Sequence, residues 1–186
     1  MIIGTAAYCG SGQDTLADSI CRIHNIVKFS MGDIIRNLAD EQGRSKDRTT
    51  LRFIRRECDR LYGRMYFPKM MVDKIIASGN QNLVVTGLRT MEEYELFNRT
   101  FDFRLIFLDA KEHIRLNRML KRREEKDEET ISKLKKQMIE ENELFDYKKL
   151  AEVADIYFDF SMDISVYRRN ELVIVAQILE KLGASL

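Results

Sequence analysis

Short runs of β-branched and aromatic residues alternate with helical patterns along almost the whole chain. Five such runs predict strands, at residues 2–7, 26–30, 82–86, 103–108 and 155–160. The apolar spacing elsewhere predicts helices near residues 14–24, 32–42, 50–62, 67–78, 90–98, 110–125, 129–145, 147–153 and 166–182. Because strands separated by helices favour right-handed crossovers, we expect an α/β three-layer sandwich, with a five-stranded parallel sheet covered by helices on both faces.

The first run leads into a glycine-rich turn that opens a helical pattern. Gly10 and Gly12 can take positive φ without a Cβ penalty, so backbone N–H groups can turn inward around an anion. The following helix adds its positive N-terminal end. This layout is typical of a phosphate-binding P-loop, and the alternative is a glycine-rich turn that binds no ligand.

Three polar residues follow the glycines in this turn. Gln13 occupies the position of the lysine that reaches the phosphates in the pattern G-x-x-x-x-G-K-[ST]. Asp14 is unfavourable beside a phosphate unless it faces elsewhere or meets a cation. Thr15 lies in the first helical turn, where its hydroxyl can meet a magnesium-bound phosphate or cap the backbone.

Composition excludes several classes of protein. With 186 residues, of which 45% are hydrophobic, we expect one domain over residues 1–186 with a full core. The net charge of +1 creates no overall electrostatic field that would attract nucleic acid or an acidic membrane. Only the basic stretch at 44–56 points to a nucleic-acid module. Three cysteines without C-x-x-C spacing favour a reducing cytoplasm. There is no signal peptide pattern and no apolar stretch of membrane-spanning length.

Ligands of parallel sheets bind beyond the carboxyl ends of the strands, so the residues after each predicted strand are candidates. After the second strand, Ser30 or Asp33 can cap a helix, and Arg36 one turn later can hold an acceptor phosphate. After the third, Gly87 allows close backbone approach and Arg89 can make a second phosphate contact. The alternatives are an ordinary capped helix and a helix-entry turn, each with a surface arginine.

A basic helix follows the fourth predicted strand. Arg115, Arg118 and Arg122 fall on one face of it, at spacings of three and four residues. They could close over a transferring phosphoryl group as a lid, or form a solvated, self-paired helix. The missing lysine favours the first reading, because a phosphoryl-transfer site needs a cation.

Together these motifs resemble the P-loop nucleoside monophosphate kinases and their dephospho-CoA-kinase-like and archaeal adenylate-kinase-related cousins. Residues 10–15, Gly-Ser-Gly-Gln-Asp-Thr, resemble the G-S-G-K-[GD]-T loop, and residues 30–36 are similar to the segment S-T-G-D-x-x-R. Residues 86–89, Thr-Gly-Leu-Arg, resemble a D-G-x-x-R or D-G-x-R turn. Gln13 and Thr86 depart from this pattern, at the phosphate lysine and at an aspartate that helps to organise magnesium.

The resemblance implies roles for particular residues. ATP would bind residues of the loop and one after the last strand, namely Gly10, Ser11, Gly12, Gln13, Asp14, Thr15 and Ser161, with Thr15 also on Mg²⁺. The acceptor would bind Arg36, Arg89 and Gly87. The catalytic groups would be Arg118, Arg122 and Gln13, together with Asp33 as general base if the acceptor is an alcohol.

The resemblance also implies an activity. It indicates an ATP-dependent kinase of a phosphorylated acceptor, which could be a nucleoside monophosphate, dephospho-CoA or a phosphorylated alcohol such as a mevalonate phosphate. The acceptor would bind a helical excursion at about 31–80, and a short lid would span about 115–145. The alternative is a catalytically weak nucleotide-binding or regulatory protein on the same fold, because Gln13 replaces the lysine.

Overall fold

The computed structural model describes residues 1–122 and 131–184, except for the side chains of Arg48 and Arg122. All five predicted strands are present, as β1 (Ile2–Ala7), β2 (Val27–Ser30), β3 (Leu83–Leu88), β4 (Phe103–Asp109) and β5 (Ile156–Asp159). They form one parallel sheet in the order β2-β3-β1-β4-β5. The central strand β1 is buried along its whole length. The turn that follows β1 therefore lies between the ends of β3 and β4.

The helices of the described residues agree with the predicted ones to within a few residues. They are α1 (Gln13–His24), α2 (Met31–Glu41), α3 (Arg48–Tyr62), α4 (Tyr66–Ser78), α5 (Met91–Thr100), α6 (Glu112–Arg122), α7 (Ile131–Leu144), α8 (Tyr147–Val153) and α9 (Ile164–Lys181). The last of them begins two residues earlier than predicted, because the Asp163 side chain caps it by accepting a hydrogen bond from Ser165 N. No helix of the described residues is long and apolar enough to cross a membrane.

Two apolar cores lie on the two faces of the sheet. One is formed with α2, α3, α4, α5 and α8 and includes Phe67, Phe97 and Phe107. The other is formed with α1 and α9 and includes Leu16 and Val175. The predicted α/β three-layer sandwich is confirmed.

A buried carboxylate joins α1, the helix behind the glycine-rich turn, to α9. Glu171 accepts hydrogen bonds from Ser19 Oγ and Arg22 Nη2 on α1, and from Arg168 Nη1 at 2.8 Å on its own helix. Burial raises the pKa of Glu171, but the bonds from Ser19 and Arg22 outweigh it, so its pKa lies below the ordinary 4.5. A depressed folded-state pKa stabilises the fold above about pH 4.5, and this stabilisation is lost as the pH falls through the lower folded value.

We therefore expect Glu171→Gln to lower the free energy of unfolding by about 1–3 kcal/mol at pH 7, because it weakens hydrogen bonds to a charged group. The difference from the parent should shrink below about pH 4.5, as the parent's own carboxylate becomes protonated. Urea unfolding at pH 7 and pH 3.5 measures both effects. Glu180→Gln, at an exposed position of the same helix, is the control and should change neither value. A pH-independent loss in Glu171→Gln would contradict the ionic account.

Candidate functional site

The turn after β1 has the backbone of an anion-binding loop. Gly10 and Gly12 have φ values of 84° and 92°, as predicted. Gly12 is the N-cap of α1, and no side chain caps this end of the helix. The first N–H groups of α1 therefore lack intrahelical partners at the positive end of the helix dipole. Ser11 Oγ is buried beside them and has no hydrogen-bond partner among the described residues.

The same turn is tightly enclosed. A Cβ atom at Gly10 would lie 2.8 Å from the carbonyl oxygen of Arg115, and one at Gly12 would lie 2.6 Å from the ring of Phe160. The turn is thus held between α6 and the residue that follows β5. Both positions need glycine for space as well as for their φ angles.

Gln13 is bonded back to the sheet. Its Nε2 atom donates to the carbonyl oxygen of Thr5 at 2.7 Å and to Thr5 Oγ1 at 3.0 Å. Thr5 lies in β1 and is fully buried. Both amide hydrogens of Gln13 are therefore used within the protein, and position 13 brings no positive charge to the loop. Its predicted catalytic role stays a prediction.

The two residues after Gln13 face different surroundings. The exposed carboxylate of Asp14 lies 3.7 Å from Lys28 Nζ. The lysine therefore compensates the negative charge of Asp14, which would otherwise repel a phosphate bound at the turn. Thr15 is the third residue of α1, and its carbonyl accepts a hydrogen bond from Ser19 Oγ at 2.8 Å. The contact of its hydroxyl with a metal stays a prediction.

The end of β2 carries a paired carboxylate and guanidinium. Asp33 Oδ1 accepts hydrogen bonds from Arg36 Nε at 3.0 Å and Nη2 at 2.6 Å. Both side chains are about half-exposed, and the guanidinium lies over Gly32. Ser30 is the N-cap of α2, but its side chain makes no capping hydrogen bond. The structure therefore brings Asp33 and Arg36 together as one unit at this strand end.

Gly87 forms an irregularity near the end of β3. Thr5 and Ala6 of β1 pair with Thr86 and Leu88, so Gly87 is an extra residue in β3. Its φ is 88°, and a Cβ atom there would lie 3.6 Å from Met31 Cβ. The predicted close approach of backbone at this position is thus an approach to the start of α2. Its contact with an acceptor stays a prediction.

Arg89, just after β3, is surrounded by aromatic and acidic groups. Its guanidinium lies 5.0 Å from the centre of the Phe145 ring. The backbone N–H of Arg89 donates a hydrogen bond to Glu93 Oε2 at 2.6 Å. Burial lowers the pKa of Arg89, but Tyr147 and Glu141, with smaller contributions from Glu93 and Cys9, raise it more, so it stays charged. A partly buried cation therefore lies at the end of β3, the strand that neighbours β1 and its glycine-rich turn.

Arg118 fastens α6 to the turn. Its Nη1 donates to the Ser11 carbonyl at 3.3 Å, and its Nη2 donates to the carbonyls of Phe160 and Met162 at 2.8 and 3.0 Å. Burial lowers the pKa of Arg118. Its predicted contact with a transferred phosphoryl group stays a prediction. The side chain of Arg122, the other predicted catalytic arginine, lies outside the part of the chain that the structure describes.

Ser161 closes the turn after β5. Its hydroxyl accepts a hydrogen bond from Lys111 N at 2.9 Å and donates to Asp159 Oδ1, which also accepts from Ser161 N at 2.9 Å. This loop therefore lies against the start of α6. The predicted contact of Ser161 with ATP stays a prediction.

Arg115 is a component of the site that the sequence identified only as one of three arginines on a helix face. Its side chain is 11% exposed, with Nε 3.7 Å from Asp109 Oδ1 and the guanidinium 5.0 Å from the centre of the Tyr8 ring. Nε and Nη1 are buried and have no hydrogen-bond partner within residues 1–122 and 131–184. Its three-residue spacing from Arg118 was the available signal, but that spacing does not show which arginine remains unbonded.

A family model described as an AAA domain matches residues 7–135, which cover the glycine-rich turn, the ends of β2 and β3 and helix α6. The chain belongs to this AAA domain family. A UPF0200 protein of Methanothermobacter thermautotrophicus is 28% identical over 128 residues, which are 68% of this chain and 64% of that protein. A UPF0200 protein of Sulfurisphaera tokodaii is 28% identical over 144 residues, 77% of this chain and 78% of that protein. The chain thus spans less than two thirds of the first relative.

Solved structures that share the fold of this chain include proteins named as kinases. Shikimate kinase from Bacteroides thetaiotaomicron matches with a TM-score of 0.67 and 16% identity over 99% of both chains. A gluconokinase from Sinorhizobium meliloti matches with a TM-score of 0.59 and 16% identity, over 97% of this chain and 94% of that one. At sequence identities this low, the similarity shows a shared fold and nothing about substrate. The predicted P-loop kinase fold is confirmed.

Proposed function

We propose that this protein is an ATP-dependent kinase that transfers the γ-phosphoryl group to a small anionic acceptor. The observation that carries the proposal is the alignment of three strand ends. The neighbouring parallel strands β2, β3 and β1 end, respectively, at the Asp33–Arg36 pair, at Arg89 and at the uncapped glycine-rich turn. Phosphoryl transfer needs chiefly positioning and positive charge, and this sheet edge offers both.

The turn and its helix are the proposed ATP site. Uncapped N–H groups at the start of α1 suit phosphate oxygens. No group of three or more His, Cys, Asp or Glu side chains within the described residues could hold a metal ion. This fits Mg²⁺ held mainly by nucleotide phosphates and water, with the Thr15 hydroxyl as a protein ligand. Bound there, Mg²⁺ would neutralise charge on the β- and γ-phosphates.

The end of β2 favours an acceptor that carries both a hydroxyl and an anionic group. The Asp33 carboxylate can accept the hydroxyl proton, while Arg36 beside it binds a phosphate or carboxylate. Arg89 is the second cation for that anionic group. Among the predicted acceptors, this favours a phosphorylated alcohol over a nucleoside monophosphate, which reacts through a phosphate oxygen. Kinases named for shikimate and gluconate, two hydroxylated acids, share the fold.

A catalytically weak nucleotide-binding protein is the second candidate, and the bonding of Gln13 to Thr5 favours it because position 13 brings no charge. The two candidates differ in how they respond to Gln13→Lys. If that substitution creates turnover that the parent lacks, the result supports the second candidate function. If the parent turns over and the substitution leaves activity unchanged or lower, the second candidate fails.

A magnesium-ATP assay of ADP release tests the proposed kinase over nucleoside monophosphates, dephospho-CoA, mevalonate phosphates and hydroxylated acids. We expect turnover with an acceptor that offers a hydroxyl. Asp33→Asn should then lower kcat by about 100- to 10,000-fold, because the general base is lost, with little change in the Kd of ATP.

The matched control is Asp40→Asn, on the same helix, where the carboxylate is exposed and pairs with Lys46. It should leave kcat within about twofold of the parent, since only a surface ion pair is lost. An unchanged kcat in Asp33→Asn would contradict the hydroxyl acceptor. Inactivity of the parent over the whole panel would contradict the kinase itself.

A further inference from the structure

Arg115 lies along the first half of the glycine-rich turn. Its backbone touches Gly10, where a Cβ atom would lie 2.8 Å from the Arg115 carbonyl oxygen and 3.1 Å from its Cα. Its guanidinium reaches Tyr8, at 5.0 Å from the centre of the ring. The side chain therefore runs beside the turn from residue 10 back to residue 8, within the region where a P-loop binds phosphate.

Two of the three guanidinium nitrogens of Arg115, Nε and Nη1, are buried without a hydrogen-bond partner in the described part of the chain. Nε lies 3.7 Å from Asp109 Oδ1, close enough for charge compensation but too far for a hydrogen bond. Asp109 is bonded elsewhere, because it accepts from Ala110 N and Tyr157 OH, each at 2.7 Å. Buried donors left unpaired destabilise a protein, so their presence beside a turn indicates a ligand.

The neighbouring side chains differ from Arg115 in this respect. Gln13 donates both its amide hydrogens to Thr5, and Arg118 donates to three backbone carbonyls. Ser11 Oγ, like Arg115 Nε and Nη1, is buried and unbonded in the described part of the chain. Unbonded polar atoms thus flank the turn on both sides of Gly10, next to the uncapped end of α1.

We propose that Arg115 supplies the positive charge that position 13 lacks, by donating hydrogen bonds from its guanidinium to a phosphate of the bound nucleotide. Asp109 and the Tyr8 ring hold the guanidinium in place before the nucleotide arrives. The assignment rests on the proposed function, since it needs a nucleotide in the turn. It makes Arg115, rather than Arg118, the substitute for the P-loop lysine.

Calorimetric titration of the full chain with MgATP, and with adenosine as the phosphate-free reference, tests the assignment. Arg115→Met should raise the Kd of MgATP at least tenfold and leave the Kd of adenosine unchanged. Its ligand-free Tm should change little, because the loss of the ion pair with the partly exposed Asp109 is offset by removing buried guanidinium donors that have no hydrogen-bond partner among the described residues. Arg115→Lys, which keeps the charge, should stay closer to the parent in MgATP affinity than Arg115→Met.

A second substitution tests whether the charge is the quantity that matters. Adding Gln13→Lys to Arg115→Met should recover MgATP affinity at least threefold. Lys121→Met, at an exposed position of the same helix, is the control and should leave the Kd unchanged.

Three results would overturn the assignment, and they separate it from the proposed function. A fall in Tm with an unchanged Kd of MgATP in Arg115→Met would make Arg115 structural. Equal loss of MgATP and adenosine affinity would show that the phosphates are not its ligand. In both cases the parent binds MgATP, so the proposed function survives, whereas a parent that binds no MgATP would overturn both proposals.

Discussion

Replacing Gly12 with alanine is expected to abolish MgATP binding and to lower the free energy of unfolding by about 2–5 kcal/mol. The φ of 92° is strained for any residue with a Cβ atom. In addition, the new Cβ would lie 2.6 and 2.7 Å from two ring atoms of Phe160. Phe160 is fully buried and its N–H donates to the Asp109 carbonyl at 2.7 Å, so the ring has little room to move. The turn should deform instead, which would displace the N–H groups at the start of α1.

Gly43→Ala is the matched control, because Gly43 also has a positive φ, of 63°, but no described atom lies within 4 Å of a Cβ built there. It should cost only the backbone strain, about 1–2 kcal/mol, and leave MgATP binding unchanged. Urea unfolding and calorimetric titration of the two variants separate strain from steric contact. Equal destabilisation in the two variants, with MgATP binding kept in Gly12→Ala, would show that the contact with Phe160 does not fix the turn.

The strands and the glycine-rich turn were predictable because their signals are local. The apolar run in β1 reflects burial on both faces of a parallel sheet, and its observed bounds, Ile2–Ala7, are those predicted. The positive φ of Gly10 and Gly12 likewise follows from a sharp turn between a strand and a helix. Such features depend on residues that are close in the sequence.

The bonding of the polar side chains was not predictable, because their partners come from distant segments. Spacing placed Arg115 and Arg118 on one helix face, but Arg118 is bonded to carbonyls 42 and 44 residues later in the chain. Gln13 reaches Thr5 only because the turn brings the start of α1 back beside β1. No local rule distinguishes an arginine with bonded donors from one with unbonded donors, so the sequence located the basic helix but not which of its arginines has buried, unbonded nitrogens.

Glu93 was overlooked although its spacing from Thr90 is that of a capping box, and it is the acidic residue that holds the backbone of Arg89. Its carboxylate is 2% exposed and lies at the start of α5. Oε2 accepts from the N–H groups of Arg89 and Thr90 at 2.6 and 3.2 Å, and Oε1 accepts from Arg55 Nη2 at 3.3 Å. One side chain therefore fixes the backbone of the proposed acceptor cation and neutralises a second arginine from α3.

Glu93→Ala should consequently lower the free energy of unfolding by about 3–5 kcal/mol, because two backbone N–H groups lose their acceptor and Arg55 keeps only its longer ion pair, at 3.7 Å, with Asp59. It should also raise the KM of the acceptor at least tenfold while the Kd of MgATP changes little, since Arg89 and not the glycine-rich turn loses its support. Urea unfolding and the ADP-release assay measure these effects. Glu92→Ala, an exposed acid in the same first turn, loses only a favourable interaction with the helix dipole and should cost less than about 1 kcal/mol. If the two variants were equally stable, the carboxylate of Glu93 would not be what holds the β3–α5 connection in place.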